Sequence, residues 1–265
     1  MKSDGRLPVA IVGGGASGTI LAAQLARRGI GSVLIDGSGR AGVGVAYSTT
    51  EPAHLLNVRA EGMSAWAGDP GHFGQVFEAE GGDRRGFAER RLFGRYLREI
   101  LDHAVGIGHT EVEDATVAGA RREDGTWRIE FADGRRLAAA ALVLATGNQE
   151  PEPLGAFKAV GDRYINNPWA GAAKAAVRDL AQSGGSALLI GTGLTMVDLV
   201  LSLEAAGHHG RIVALSRRGL IPRGHADFEP APVELAEVPT GDLRALWRWL
   251  RQRSAALAGV PRSTA

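Results

Sequence analysis

The sequence predicts an α/β fold, and three observations carry the prediction. Short apolar runs that read as buried strands alternate with segments of helical periodicity. Glycines gather at the junctions between them, in a chain with 38 glycines among 265 residues. The pattern strand, glycine turn, helix, strand occurs twice, once near each end of the chain. Strands alternating with helices in this way place the strands side by side in a parallel sheet.

Residues 8–12 form the first apolar run. Residues 16–28 follow with helical spacing, with Ile20, Leu21 and Leu25 on one face, and Gly29 fits the helix stop. SVLID at 32–36 is the second strand, which completes a βαβ unit. Residues 37–70 read as a long irregular excursion. Its apolar content, including Tyr47, Met63 and Trp66, predicts packing against the rest of the domain. Residues 87–105 predict a helix whose buried stripe is Leu92, Phe93, Tyr96, Leu97, Ile100 and Leu101. TEVEDATVAGARR, TWRIEFADG and RRLAAAALVLATG are three strand candidates, with a hairpin turn at Ala132-Asp133-Gly134. Residues 148–170 read as a proline-rich connection. A helix at 174–182, a strand at 186–191, a helix at 194–206 and a strand at 211–218 follow. After Gly219 the chain turns loop-like. A last amphipathic helix at 242–257 has Leu243, Leu246, Trp247 and Leu250 as its apolar face and Asp242 as its cap.

Composition excludes several functions. The formal net charge is +1, so no global field draws in nucleic acid or acidic lipid. There is no cysteine, which removes disulfide exchange, thiolate nucleophiles and Cys-ligated zinc. The seven histidines show no third ligand at a metal-binding spacing. No stretch approaches the ~18 apolar residues that span a bilayer. MKSDGRLPVAIVGGG enters a strand without a secretory h-region. The expectation is a cytoplasmic protein with no membrane and no nucleic-acid partner. Ser17 sits in a strand-to-helix turn resembling a nucleophile elbow. Thr19 stands where that elbow needs glycine, which disfavours a hydrolase.

The first glycine turn, VAIVGGGASG, places Gly13, Gly15 and Gly18 in the order G-x-G-x-x-G between a strand and a helix. Gly13 allows the tight turn, Gly15 lets backbone approach a pyrophosphate, and Gly18 lets helix and strand pack closely. Ala16 and Ser17 complete the turn, and the helix N-terminus supplies N–H groups to phosphate. Asp36 ends the second strand, where a carboxylate holds a ribose 2′-OH and repels a 2′-phosphate. This turn therefore predicts FAD or NAD rather than NADP.

The second turn is LLIGTGLTMVDL. Gly191 and Gly193, with Thr192, Leu194 and Thr195, keep the phosphate-approach positions, while Met196 replaces the packing glycine. The expectation is looser helix–strand packing without loss of phosphate contact. Where an acid would end the following strand stand Ser216, Arg217 and Arg218. Guanidinium there accommodates a 2′-phosphate, which favours NADPH over NADH. A solvated charge pair is the competing reading.

This constellation, with Ala145-Thr146-Gly147 between the turns, resembles the two-dinucleotide-binding flavoprotein superfamily of glutathione-reductase-like enzymes and flavin-containing monooxygenases. It is most similar to a branch of bacterial FAD/NAD(P)-binding proteins through GVGVAYSTTEPAHLLNVRAEGMSAWAGDPGHF, RRLFGRYLREIL, LVLATGNQEPEP, YINNPW and LLIGTGLTMVDLVLSLEAAGHHGRIVALSRRGLIPR. The resemblance implies a Rossmann-type FAD domain at 1–155, with an antiparallel β insertion at about 110–137. A second, truncated Rossmann-type NAD(P)H-binding domain at 156–225 and a loop with C-terminal helix at 226–265 follow. It further implies that Tyr47, Asn57, Val117, Thr146 and Gly147 lie near FAD, with a structural role the alternative for Tyr47 and Asn57. For Met63 and Trp66, apolar core competes with lining a substrate space. The implied activity is hydride transfer from NADPH to flavin and on to an unidentified acceptor or oxygen. The competing readings are an incomplete or non-catalytic dinucleotide-binding module that needs a partner chain, and a flavin-dependent monooxygenase. The chain is shorter than usual members of the branch, which a natural short form, a fragment or completion by another subunit would each explain, and an exposed sheet with apolar surface would favour self-association. The residues point to no acid, base or substrate.

Overall fold

The computed structural model describes residues 6–226 and 231–257. The chain divides into two compact units that meet at Pro222 and Arg223.

In the first unit, β1 (Val9–Val12), α1 (Ala16–Ala26) and β2 (Ser32–Ile35) form the expected βαβ unit. The irregular excursion holds one helical turn, α2 (Gly44–Tyr47), and a 3-10 turn at Ala60–Gly62. A helix the periodicity did not announce, α3 (His72–Ala79), precedes α4 (Arg90–Gly106). All six residues of the predicted α4 stripe are buried.

Two strand candidates divide. TEVEDATVAGARR becomes β3 (Thr110–Glu113) and β4 (Val117–Glu123), and RRLAAAALVLATG becomes β6 (Arg136–Ala139) and β7 (Ala141–Leu144), with β5 (Thr126–Phe131) between. β3 and β7 join the parallel sheet, in the order β3-β2-β1-β7, while β4-β5-β6 form an antiparallel sheet. The insertion expected at about 110–137 is therefore 117–139. The one- to three-residue changes of direction at Asp114–Thr116 and Ala140 leave no strong turn signature, because each is a crossing between sheets rather than a hairpin. The true hairpins do show one. Asp124 and Gly125 both have positive φ, as a two-residue Asp-Gly turn requires.

The strand pleat sorts side chains into two cores. Ala10, Val33 and Ile35 face the antiparallel sheet and pack with Ile129, Phe131 and Ala139. Ile11 and Leu34 face the helices and pack with Ala22 and Leu101. Both are fully buried, which stabilises the fold by about 1.5–3 kcal/mol per side chain. A third cluster joins α1, α3 and α4 around Phe73, Phe93, Tyr96 and Leu97. Trp66 belongs to it and Met63 packs on it, so both are core rather than lining. Arg27 stacks over Trp66 at 3.7 Å, and the Ala65 N–H donates to the Tyr96 hydroxyl at 3.1 Å, pinning the excursion to α1 and α4.

Further along, α5 (Gly171–Ser183) leads to β8 (Ala187–Ile190), α6 (Leu194–Ala205) and β9 (Ile212–Leu215). β8 and β9 pair in parallel as a two-stranded sheet. β9 ends at Leu215, so Ser216, Arg217 and Arg218 lie in the loop beyond it rather than on the strand. Leu188 and Leu215 keep 53% and 54% of their surface exposed.

The second unit carries a 3-10 turn at Leu235–Glu237 and α7 (Leu243–Leu257). Asp242 caps α7, accepting from the Arg244 N–H at 2.9 Å. Arg253 donates to the Pro232 carbonyl at 2.9 Å. Of the predicted apolar face, Leu246 is half-buried while Leu243, Trp247 and Leu250 are exposed.

Candidate functional site

The first turn is built by close contact. Gly13 has φ +108°, and a Cβ there would lie 2.2 Å from the Ala145 carbonyl oxygen. A Cβ on Gly18 would lie 2.0 Å from the Gly13 oxygen, so α1 sits directly on the strand end. Gly15 is the N-cap of α1, and a Cβ there would meet nothing nearer than the Gly44 Cα at 3.8 Å. The first N–H groups of α1, from Ala16, Ser17 and Gly18, have no intrahelical acceptor and face the turn. Phosphate chemistry fits this donor set and its dipole.

Asp36 follows β2 and is tied into the turn. Its Oδ2 accepts the Gly14 N–H at 2.7 Å, and its Oδ1 accepts the Ser38 N–H at 2.8 Å and hydroxyl at 2.5 Å. Burial pulls this carboxyl upward. The bonds from Ser38 and Gly14, with the charge of Arg40, together outweigh it and hold the group below its ordinary value of 3.8. An ionised carboxylate with free lone pairs remains available to a ribose hydroxyl.

The second turn repeats the first. Gly191 has φ +112° against +108° at Gly13. The Gly13 N–H donates to the Ile35 carbonyl at 2.8 Å, and the Gly191 N–H donates to the Leu215 carbonyl at 2.7 Å. The N-caps match as well, Gly15 at φ −70°, ψ −173° and Gly193 at φ −82°, ψ −172°. The two turns differ one turn into the helix. The Thr19 N–H to Gly15 carbonyl bond is 2.9 Å, while its counterpart, Val197 to Gly193, is 3.4 Å. Leu194 and Thr195 are exposed at the start of α6. The Thr192 hydroxyl donates to the Leu220 carbonyl, holding the loop after β9 against the turn. In that loop the Ser216 hydroxyl accepts the Gly219 N–H at 3.0 Å, and Arg217 and Arg218 are exposed.

The remaining predicted residues separate. Thr146 lies beside Gly13, since a Cβ on Gly13 would come within 3.0 Å of the Thr146 nitrogen, and Gly147 has φ +69°. Val117 opens β4 and packs against the core between the sheets, close to where Thr116 meets Gly37. Tyr47 faces inward, with its ring 4.8 Å from Phe93. Burial pushes its hydroxyl upward, against the nearby charge of Arg90. Asn57 is exposed on the loop after His54.

Sequence reading missed a polar cluster between this loop and α6. Arg90 donates to Asp198 at 2.8 Å, and His54 Nε2 lies 2.9 Å from the Ser202 hydroxyl. The available signal was Asp198 itself, a carboxylate interrupting an apolar helix, which must find a partner when buried. Beside it opens a cavity of about 290 Å³, lined by Thr49, Glu51 and His54, by Trp169, Lys174 and Arg178, and by Asp198 and Ser202.

A parallel sheet with a glycine turn opening onto a helix, and the same turn repeated between β8 and α6, define a Rossmann-type nucleotide-binding fold. A family model described as FAD-NAD(P)-binding matches residues 10–149, and the chain belongs to that family. No curated protein matches the sequence. Among solved structures, OTEMO in complex with FAD and NADP (form 2) aligns with TM-score 0.54 at 18% identity, covering 80% of this chain and 38% of that one. The bacillithiol disulfide reductase Bdr (YpdA) of Staphylococcus aureus aligns with TM-score 0.51 at 16% identity, over 95% of this chain and 64% of that one. Closed cyclohexanone monooxygenase aligns with TM-score 0.51 at 16% identity, over 80% and 38%. The chain thus spans less than two thirds of each. Among the described residues no helix is long and apolar enough to cross a membrane.

Proposed function

We propose that this protein is a flavin-dependent oxidoreductase that takes reducing equivalents from NADPH, with FAD on the first turn and NADPH on the second. The observation that carries the reading is the duplicated turn. Two glycines with φ within a few degrees of one another, the same N–H bond to the neighbouring strand and the same N-cap geometry occur in one chain. Asp36 after the first turn and Arg217 and Arg218 after the second divide the two nucleotides between them, since a carboxylate repels a 2′-phosphate and a guanidinium pairs with it. Bound together, the two groups would supply hydride transfer from nicotinamide to flavin. The chain's part is to bind and orient. The N–H groups opening α1 and α6 hold phosphates, Asp36 holds a ribose, and Thr192 keeps the arginine loop against the second turn. With no cysteine among its 265 residues, this chain supplies no thiol of its own to a relay.

The test is spectroscopic. The purified protein, reconstituted with FAD, should show the yellow flavin spectrum. Without oxygen, NADPH should bleach it, and air should restore it. Failure to hold flavin after reconstitution sinks the reading.

A second reading is a module whose second sheet is completed by another polypeptide or another copy of the chain. The exposed apolar side chains of β8 and β9, Leu188 and Leu215 among them, favour it.

A further inference from the structure

Building on the two-nucleotide reading, we propose that Arg90, His54 and Asp198 form a clasp coupling the second turn to the loop that carries Asn57. Asp198 is then a positioning residue for transfer between the two nucleotides. The clasp joins three segments far apart in sequence. Arg90, the first residue of α4, donates from Nη1 to Asp198 Oδ2 at 2.8 Å and from Nε to the Leu55 carbonyl at 2.9 Å. Its backbone N–H donates to the His54 carbonyl at 2.8 Å. One residue thus grips both the loop and α6.

His54 closes the other side. Its Nε2 lies 3.1 Å from the Asp198 carbonyl and 2.9 Å from the Ser202 hydroxyl, and its Nδ1 lies 2.8 Å from the Thr49 hydroxyl. With the proton on Nε2 every partner is satisfied. Nε2–H donates to α6, the Ser202 hydroxyl donates to the Asp198 carbonyl, and the Thr49 hydroxyl donates to Nδ1. His54 and Asp198 are only 6% and 5% exposed. Shielded from water, a charged pair with directional bonds fixes one arrangement far more tightly than apolar contact does.

One end of the clasp lies on the helix that opens at the second turn, and the other holds the loop that carries Asn57. Asp198 lies five residues from the N-cap Gly193, a rise of ~7.5 Å along a rigid helix. A displacement at Asp198 is therefore a displacement of the second turn. At the other end, the Leu56 N–H donates to the Ala88 carbonyl at 2.8 Å, and Asn57 follows directly.

The experiment is amide hydrogen exchange on the full chain, read with and without NADP⁺. In the wild type, NADP⁺ should protect residues 191–205 and also the remote residues 51–58. In Asp198→Asn, NADP⁺ affinity should stay within threefold and protection at 191–205 should persist. Protection at 51–58 should fall by half or more. In the flavin-loaded variant, bleaching by NADPH should slow tenfold or more while bleaching by dithionite is unchanged. The pair Arg90→Gln with Asp198→Asn, which restores a neutral amide contact, should recover part of both. Should Asp198→Asn fail to fold, Ser202→Ala, which leaves the ion pair intact, carries the same prediction at threefold or more. Equal protection of 51–58 in wild type and variant overturns the clasp. So does wild-type protection confined to 191–205. If NADP⁺ protects neither segment and no flavin is held, the two-nucleotide reading itself fails, which is a distinct result.

Discussion

Asp36 ties the first turn together with one carboxylate, through its bonds to Gly14 and Ser38, and under the proposed function the same ionised group would hold a ribose hydroxyl. Because its folded value lies below the ordinary 3.8, the ionised form stabilises the fold. That contribution is fully present above 3.8 and is lost as pH falls through the lower folded value. The difference in urea midpoint between wild type and Asp36→Asn should therefore be largest at neutral pH and shrink below about pH 4. A constant difference across that range contradicts the assignment. Arg217 is the matching test at the second turn. Hydrogen bonds to charged groups contribute about 1.5–3 kcal/mol, so Arg217→Ala should weaken NADPH roughly ten- to hundredfold and leave NADH within a few-fold. Equal use of both cofactors by the wild type would remove the argument.

The two glycine turns are alike in backbone and unlike in surroundings. Gly13 is enclosed by Ala145, whereas a Cβ on Gly191 would meet nothing within 4 Å. Gly13→Ala adds a collision to the strain of a positive φ, while Gly191→Ala adds the strain alone, about 1–3 kcal/mol. Denaturant unfolding should show Gly13→Ala as the more damaging change by at least 1 kcal/mol. The difference has a structural origin. β1 is flanked by β2 and β7, and β8 is flanked by β9 alone. The Val197 to Gly193 bond, at 3.4 Å, lies in these sparser surroundings.

At the scale of the whole molecule, the buried Arg90–Asp198 pair and the exposed second sheet set opposite expectations. Asp198→Ala strands a guanidinium that is only 15% exposed, which should cost about 3–5 kcal/mol of unfolding free energy. Replacing both partners with apolar residues should recover most of that, by calorimetry or urea titration. The exposed strands predict association. If Leu188 and Leu215 lie in an interface, sedimentation should show concentration-dependent self-association that Leu188→Glu abolishes. A chain that stays monomeric at high concentration removes the second copy from consideration and leaves a different completing chain.

Local pattern determined what short-range physics can reach. The two strand–turn–helix units were legible because Gly13, Gly18 and Gly191 are demanded by backbone geometry, and Asp36 by its place after a strand. The buried stripe of α4 was legible because apolar periodicity has one solution in a helix. The partition of the β strands was not, since only Asp114–Thr116 separates β3 from β4 and neither glycine nor proline marks the crossing between sheets. Nor was the clasp, whose members are separated by as many as 144 residues. Sequence alone thus specified the turns and the charge that follows each. Which residues stand between them was settled only by tertiary structure, because a buried carboxylate on α6 had to find its partners on a different part of the chain.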